Sequence, residues 1–131
     1  MKVVFINGPV GSGRTTVWNL MRTEVPAKYH GQMKFFYSDE QGILTLPDTK
    51  VEAVAFITDA SDPIPVADAI EMMGIENCLL LRLHRNGTQY HEGDSGYLQL
   101  PCMTRDVYNF GDKDYLRTQV MAAMQDAFEI W

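Results

Sequence analysis

Positive charge is what this chain lacks most. Lys and Arg number 11 against 17 Asp and Glu, a formal net charge of −6 at pH 7. That balance argues against a polynucleotide partner, because neutralising a phosphate backbone takes a clustered excess of Lys and Arg. A small anion stays compatible, since a few converging main-chain amides make a field that is only local. Cysteine is scarce too: Cys78 and Cys102 are the only two. They form no C-x-x-C, and their spacing to the three histidines matches no metal-ligand pattern. The expectation is two reduced thiols in a cytoplasm, with no zinc site. No apolar run is long enough to span a bilayer, so no membrane is expected. The first residues give one lysine, a short apolar run, then Asn7 and glycines, which is not the pattern of a secretory signal. Internal repeats and low-complexity linkers are missing as well.

What is present fits a single domain over 1–131, with 46% apolar and 21% charged residues. "KVVFIN" (2–7) is a continuous β-branched and aromatic run, which marks a strand buried on both faces. A helix follows from Arg14 to about Glu24, with an apolar stripe at Val17, Leu20, Met21 and Val25, and Pro26 marks its end. "QMKFFYSD" (32–39), "VEAVAFITDA" (51–60) and "NCLLLRLHR" (77–85) are three further strands, and "DVYNF" (106–110) is a short fifth. "PIPVADAIEMMG" (63–74) reads as a helix with a stripe at Val66, Ile70 and Met73 and a stop at Gly74. The last helix runs from about Asp112 to Trp131, with Leu116, Val120, Met124 and Phe128 on one face. The eight methionines look cofactor-like at first glance, but methionine at helical spacing is far more often core filling. Strands alternating with helices predict a parallel sheet with helices on both faces. The segment 86–105 is long for a connection in a small domain, so it reads as a lid-like loop. A hairpin is its other reading, with "TQYHE" and "YLQL" around "GDSG".

The chemistry is concentrated in "VVFINGPVGSGRTTVWNLM" (3–21). It matches G-x-x-x-x-G-K-[ST] at every fixed position except one, where Arg14 replaces lysine. Glycines alone prove little, but here they leave a buried strand and open a helix, the context such a motif requires. Gly8, Gly11 and Gly13 allow positive φ and a close approach of amides to phosphate oxygens. Pro9, Val10 and Ser12 complete the turn. The helix start at Arg14, Thr15 and Thr16 adds unpaired N–H groups and a partial positive charge. Thr15 stands at the hydroxyl position that ligates Mg²⁺. A tight turn that binds nothing is the plainer alternative.

The finer spelling G-x-x-G-x-G-[K/R]-T-T resembles the P-loop proteins that are small-molecule and nucleotide kinases. "VAFITDASDPIPVADAIEMMGIENCLLLRLHRNGT" (54–88) and "DVYNFGDKDYLRTQV" (106–120) resemble the corresponding stretches of phage deoxynucleoside monophosphate kinases. The resemblance implies a three-layer α/β/α P-loop fold of kinase type with a mainly parallel five-stranded sheet. It implies ATP and Mg²⁺ as cofactors, ATP lying at the carboxyl ends of the strands. Its partners would be a nucleoside triphosphate and a small acceptor such as a nucleoside monophosphate. Residues 8–16 would hold the β- and γ-phosphates, and Asp59 would orient Mg²⁺. Arg85 and Arg105 would reach the transferring phosphoryl, and Asn109 and Phe110 would lie beside adenine. Asp39 would accept the proton of an acceptor hydroxyl.

Each assignment has a quieter counterpart. Asp59 also suits a cap of the following turn. Arg85 and Arg105 also suit a solvated surface, and Asp39 beside Glu40 an acidic loop. Departures from the resembled kinases are Arg14, Ser61 where an arginine is usual, and a short stretch between the first helix and third strand. That stretch offers Lys28, Lys34 and Lys50 but no arginine, so an acceptor phosphate would turn to Arg22, a lysine or Arg82. The sequence thus supports a phosphotransferase, with a non-catalytic nucleotide-binding module, or a protein-interaction domain with an empty loop, as the alternatives.

Overall fold

A computed structural model describes residues 2–9, 11–24, 33–37, 54–58, 63–85 and 98–128. The elements run β1 (Lys2–Asn7), α1 (Arg14–Glu24), β2 (Met33–Tyr37), β3 (Val54–Thr58), α2 (Pro63–Met73), β4 (Cys78–His84), β5 (Met103–Tyr108) and α3 (Lys113–Phe128). A 3-10 turn at Ile75–Asn77 leads into β4. The class is α/β. The strands lie in the order β2-β3-β1-β4-β5, and every pairing between them is parallel.

The continuous apolar runs are explained by cover on both faces of the sheet. Val3, Val4, Phe5 and Ile6 are all fully buried. Because strand side chains alternate, they divide between two cores. Val4 and Ile6, with Leu79, Leu81, Leu83 and Val107, pack against α1 and α3. Val3 and Phe5, with Cys78 and Leu80, pack against Val66, Ala69, Ile70 and Met73 of α2. The second core also takes Leu98 and Cys102 from the segment that precedes β5.

The helices follow their expected stripes. Leu116, Val120, Met124 and Phe128 are all buried on α3, and Val66, Ile70 and Met73 on α2. On α1, Val17 and Met21 are buried and Leu20 is partly so; Trp18 joins them at one turn from Met21. Val25 lies outside the described residues. The stop at Gly74 is as the sequence indicates, and Asp112 adds a cap at the start of α3. Asp112 accepts from the main-chain N–H groups of Asp114 at 2.9 Å and Tyr115 at 3.2 Å, which satisfies two donors of the first turn of α3. Gly74, at φ 93°, ends α2 by donating to the Ile70 carbonyl at 2.8 Å.

Two expectations need correction. The fifth strand is Met103–Tyr108, not 106–110. It therefore removes 103–105 from the expected lid-like segment, and Leu98 to Leu100 are irregular and not strand. The cause is composition: of the six residues in β5 only Val107 is buried, so no apolar pattern marks the element. Residues 86–97 lie outside the described set, and with them most of the hairpin alternative. Among the described residues no helix is long and apolar enough to cross a membrane.

Both cysteines are free and buried. Burial, with smaller contributions from the neighbouring Cys102 and Glu76, pushes the Cys78 thiol up to about 12. Burial raises the Cys102 thiol as well. A neutral thiol held protonated in the native state stabilises the fold fully below its unfolded pKa, and that contribution is lost as pH rises. Native stability is therefore expected to fall between about pH 9 and 12, and Cys78→Ala should flatten that slope in denaturant titrations. At neutral pH the native thiols should react with a disulfide reagent far more slowly than in guanidinium.

Candidate functional site

Residues 8–13 leave the carboxyl end of β1 and enter α1. Within this loop the main-chain N–H of Ser12 donates to the Pro9 carbonyl at 3.0 Å, closing a tight turn. The Val17 N–H donates to the Gly13 carbonyl at 2.9 Å, which is the first helical bond of α1. The N–H groups of Arg14, Thr15 and Thr16 thus stand at the open end of the helix, where no intrahelical acceptor exists. No acidic residue occupies that first turn, so the partial positive charge of the helix end is not offset there.

The loop glycines divide into two kinds. Gly11 and Gly13 adopt left-handed backbone, with φ of 84° and 103°. Gly8 was expected to share that conformation and does not. Its requirement is space: a Cβ there would come under 3.0 Å from the Ser12 hydroxyl and press on Leu83. A Cβ on Gly13 would come under 3.0 Å from the Asn109 amide. The loop therefore has a tightly filled underside. Ser12 is fully buried, and its hydroxyl has no hydrogen-bond partner among the described residues. A buried hydroxyl in that state costs about 1–3 kcal/mol, a cost native proteins seldom carry outside functional sites.

Other residues converge from β4 and β5. Arg85, exposed and one position past β4, donates through Nη1 to the Gly11 carbonyl at 3.3 Å. Asn109, just past β5, donates through Nδ2 to the Ser12 carbonyl at 3.1 Å. Arg14 is half-buried and Thr15 is exposed in the first turn of α1. Tyr108 stacks on His84 at 5.1 Å between ring centroids and on Phe110 at 6.0 Å, leaving Tyr108 and Phe110 largely exposed. Beneath them, Asp106 accepts from His84 at 2.7 Å and pairs with Arg82 at 3.4 Å. The Leu98 main chain is tied to this floor: its N–H donates to Asn7 Oδ1 at 3.4 Å, and its carbonyl accepts from Arg82 at 3.5 Å.

Of the residues singled out in the sequence, Gly8, Pro9, Gly11, Ser12, Gly13, Arg14, Thr15 and Thr16 form one loop and helix start, with Arg85 and Asn109 against it. Arg105 is not brought there. It lies in register with Leu81, short of the carboxyl end of β5, and pairs with Asp126 near the far end of α3 at 3.7 Å. Asn109 is buried against the loop, while Phe110 is open to solvent. Val10, Asp39 and Asp59 lie outside the described residues. Among the described residues no group of three His, Cys, Asp or Glu side chains could hold a metal ion.

Sequence reasoning did not single out Asn7, Asp106 or Leu98. Asn7 carried a signal, as the one polar residue closing an apolar strand; Leu98 and Asp106 carried none. Comparison with known protein families, curated proteins and solved structures found no match to this chain.

Proposed function

We propose that this chain has a P-loop fold of kinase type, holds a nucleoside triphosphate at residues 8–16 and transfers its terminal phosphoryl group to a small acceptor. The observation that carries the reading is the buried Ser12 hydroxyl without a partner among the described residues. It lies inside a loop shaped by left-handed glycines at the open end of α1. That set fits a polyphosphate: a loop turned by left-handed glycines, main-chain amides at the start of α1, a buried hydroxyl and the Arg14 cation.

In this reading the amides of 13–16 and Arg14 hold the β- and γ-phosphates. Thr15 and Asp59 would hold Mg²⁺, which would supply charge neutralisation to the phosphates. Arg85 already touches the loop carbonyl at Gly11 and adds positive charge beside the group in transit. In the transfer, the bond from the γ-phosphorus to the bridging oxygen breaks, and its electrons leave with the nucleoside diphosphate. A new bond forms to the acceptor oxygen. Where the acceptor is a hydroxyl, its proton passes to Asp39. Protein contributions to such a reaction are mostly positioning and charge.

A second reading has its own observation, Arg14 at the lysine position. A forked, planar guanidinium binds phosphate well but places it differently from an ammonium, so binding without turnover is the alternative. The test is a coupled assay of ADP release from ATP and Mg²⁺ across the common nucleoside monophosphates. Release above background with at least one acceptor is expected. Saturable ATP binding with no release for any acceptor would discard transfer in favour of a nucleotide-binding module.

A further inference from the structure

Asn109 is 6% exposed, so little of its side chain is open to a ligand. Both ends of its amide are committed inside the protein. Nδ2 donates to the Ser12 carbonyl at 3.1 Å, and Oδ1 accepts from the Gly111 N–H at 3.2 Å. Its main-chain N–H donates to the His84 carbonyl at 2.7 Å, which fixes it to the end of β4. Nδ2 also fills the space that a Cβ on Gly13 would need. One residue therefore joins three things: the loop and the turn that starts α3 through its side chain, and the end of the sheet through its main chain.

The consequence follows from peptide geometry. None of the described peptide bonds is cis, and in a trans peptide the C=O and N–H of one plane point in opposite directions. Pinning the Ser12 carbonyl onto Asn109 turns the N–H of Gly13 away from Asn109, just ahead of the first turn of α1. Gly13 tolerates this only because its φ of 103° is open to glycine.

We propose that Asn109 is a positioning residue for the phosphate loop: it aims the Gly13 amide at the anion and makes no contact with a nucleobase. The proposal rests on the reading that this loop binds phosphate, and it replaces the base-side role that the resemblance implied. The contact spans 97 positions of sequence, so it makes the loop's donor geometry a property of the β5–α3 junction.

The test compares two probes, ATP and inorganic tripolyphosphate, which has no base, on the native chain and on Asn109→Ala. Losing one well-aimed donor to a charged group should weaken both probes equally, by roughly 10- to 100-fold. Hydrogen exchange at the Gly13 amide should quicken in the variant, while exchange in the centre of α3 stays at the native rate. If ATP weakens and tripolyphosphate does not, Asn109 reads the base and the proposal is overturned. In case the variant folds poorly, the native chain gives an independent reading. On titration with tripolyphosphate, the Gly13 amide resonance should be among those that move most; a resonance that stays fixed while the probe binds also overturns the proposal. If native protein binds neither probe, the loop reading itself fails, and the proposal fails with it. Unchanged affinities in a folded Asn109→Ala sink the proposal alone.

Discussion

Gly13→Ala is expected to lower affinity for ATP about a hundredfold while the chain stays folded. At φ 103° a residue with a Cβ meets strain of about 1–2 kcal/mol in left-handed backbone. The same Cβ would come under 3.0 Å from Asn109 Nδ2, displacing a hydrogen bond worth about 0.5–1.5 kcal/mol. The free protein can relieve both by letting the loop leave this conformation. Binding has to restore it, so the strain reappears in the dissociation constant. Gly111→Ala is the control. Gly111 has φ 95°, yet a Cβ there meets nothing within 4 Å, so that variant should lose some stability and keep its affinity. Calorimetric titration of both variants, beside thermal melts, separates the two effects. Equal affinities for the two variants would show that the Gly13 conformation is irrelevant to the ligand.

Arg14→Lys carries the second large effect. Turnover with the best acceptor should rise roughly 100-fold, the scale of correcting a misplacement of about 1 Å at the reacting group. Affinity for ATP should change by less than tenfold, because lysine and arginine both neutralise phosphate. The separation of the two parameters matters more than either alone. A rise in turnover at nearly constant affinity would mean that the native residue favours holding the triphosphate over transferring it. A fall in turnover would mean that the guanidinium is itself suited to the transferring group, and that the lysine pattern is the wrong standard for this loop. Steady-state kinetics on a single acceptor decide between them.

The legible part of this fold is the part whose cause is local. β1 and β4 announce themselves because a strand covered on both faces must be apolar throughout, and residues Val3 to Ile6 are fully buried. The stripes of α2 and α3 follow from helical periodicity, and the glycine turn from its place between a buried strand and a helix. β5 was misplaced because its only buried residue is Val107; its register comes from pairing with β4, which no local pattern records. The same limit applies at the site. Asn109 and Ser12 meet across 97 positions, and Leu98 meets Asn7 across 91. An asparagine in a turn is locally indistinguishable whether it faces a ligand or props a loop. Arg105 was read as flanking the lid-like loop, whereas it lies within β5 and pairs with Asp126 of α3, a contact between separate elements that no local pattern records.

The polar floor beneath the site also has a physical logic that composition hides. Arg82, His84 and Asp106 occupy the sheet face that nearer the amino end carries Cys78 and Leu80. The face thus changes from apolar to charged along the strands, and the change falls where the loop begins. A floor of that kind keeps Leu98 tied down at the carboxyl end of β1 and β4.

The most direct test of the central claim is calorimetric titration of the native chain with ATP, with and without Mg²⁺, alongside a thermal melt. The account predicts saturable binding of one triphosphate per chain, tightened by Mg²⁺, and a matching rise in melting temperature. No heat and no thermal shift at saturating ATP, from a chain that melts cooperatively, would contradict it.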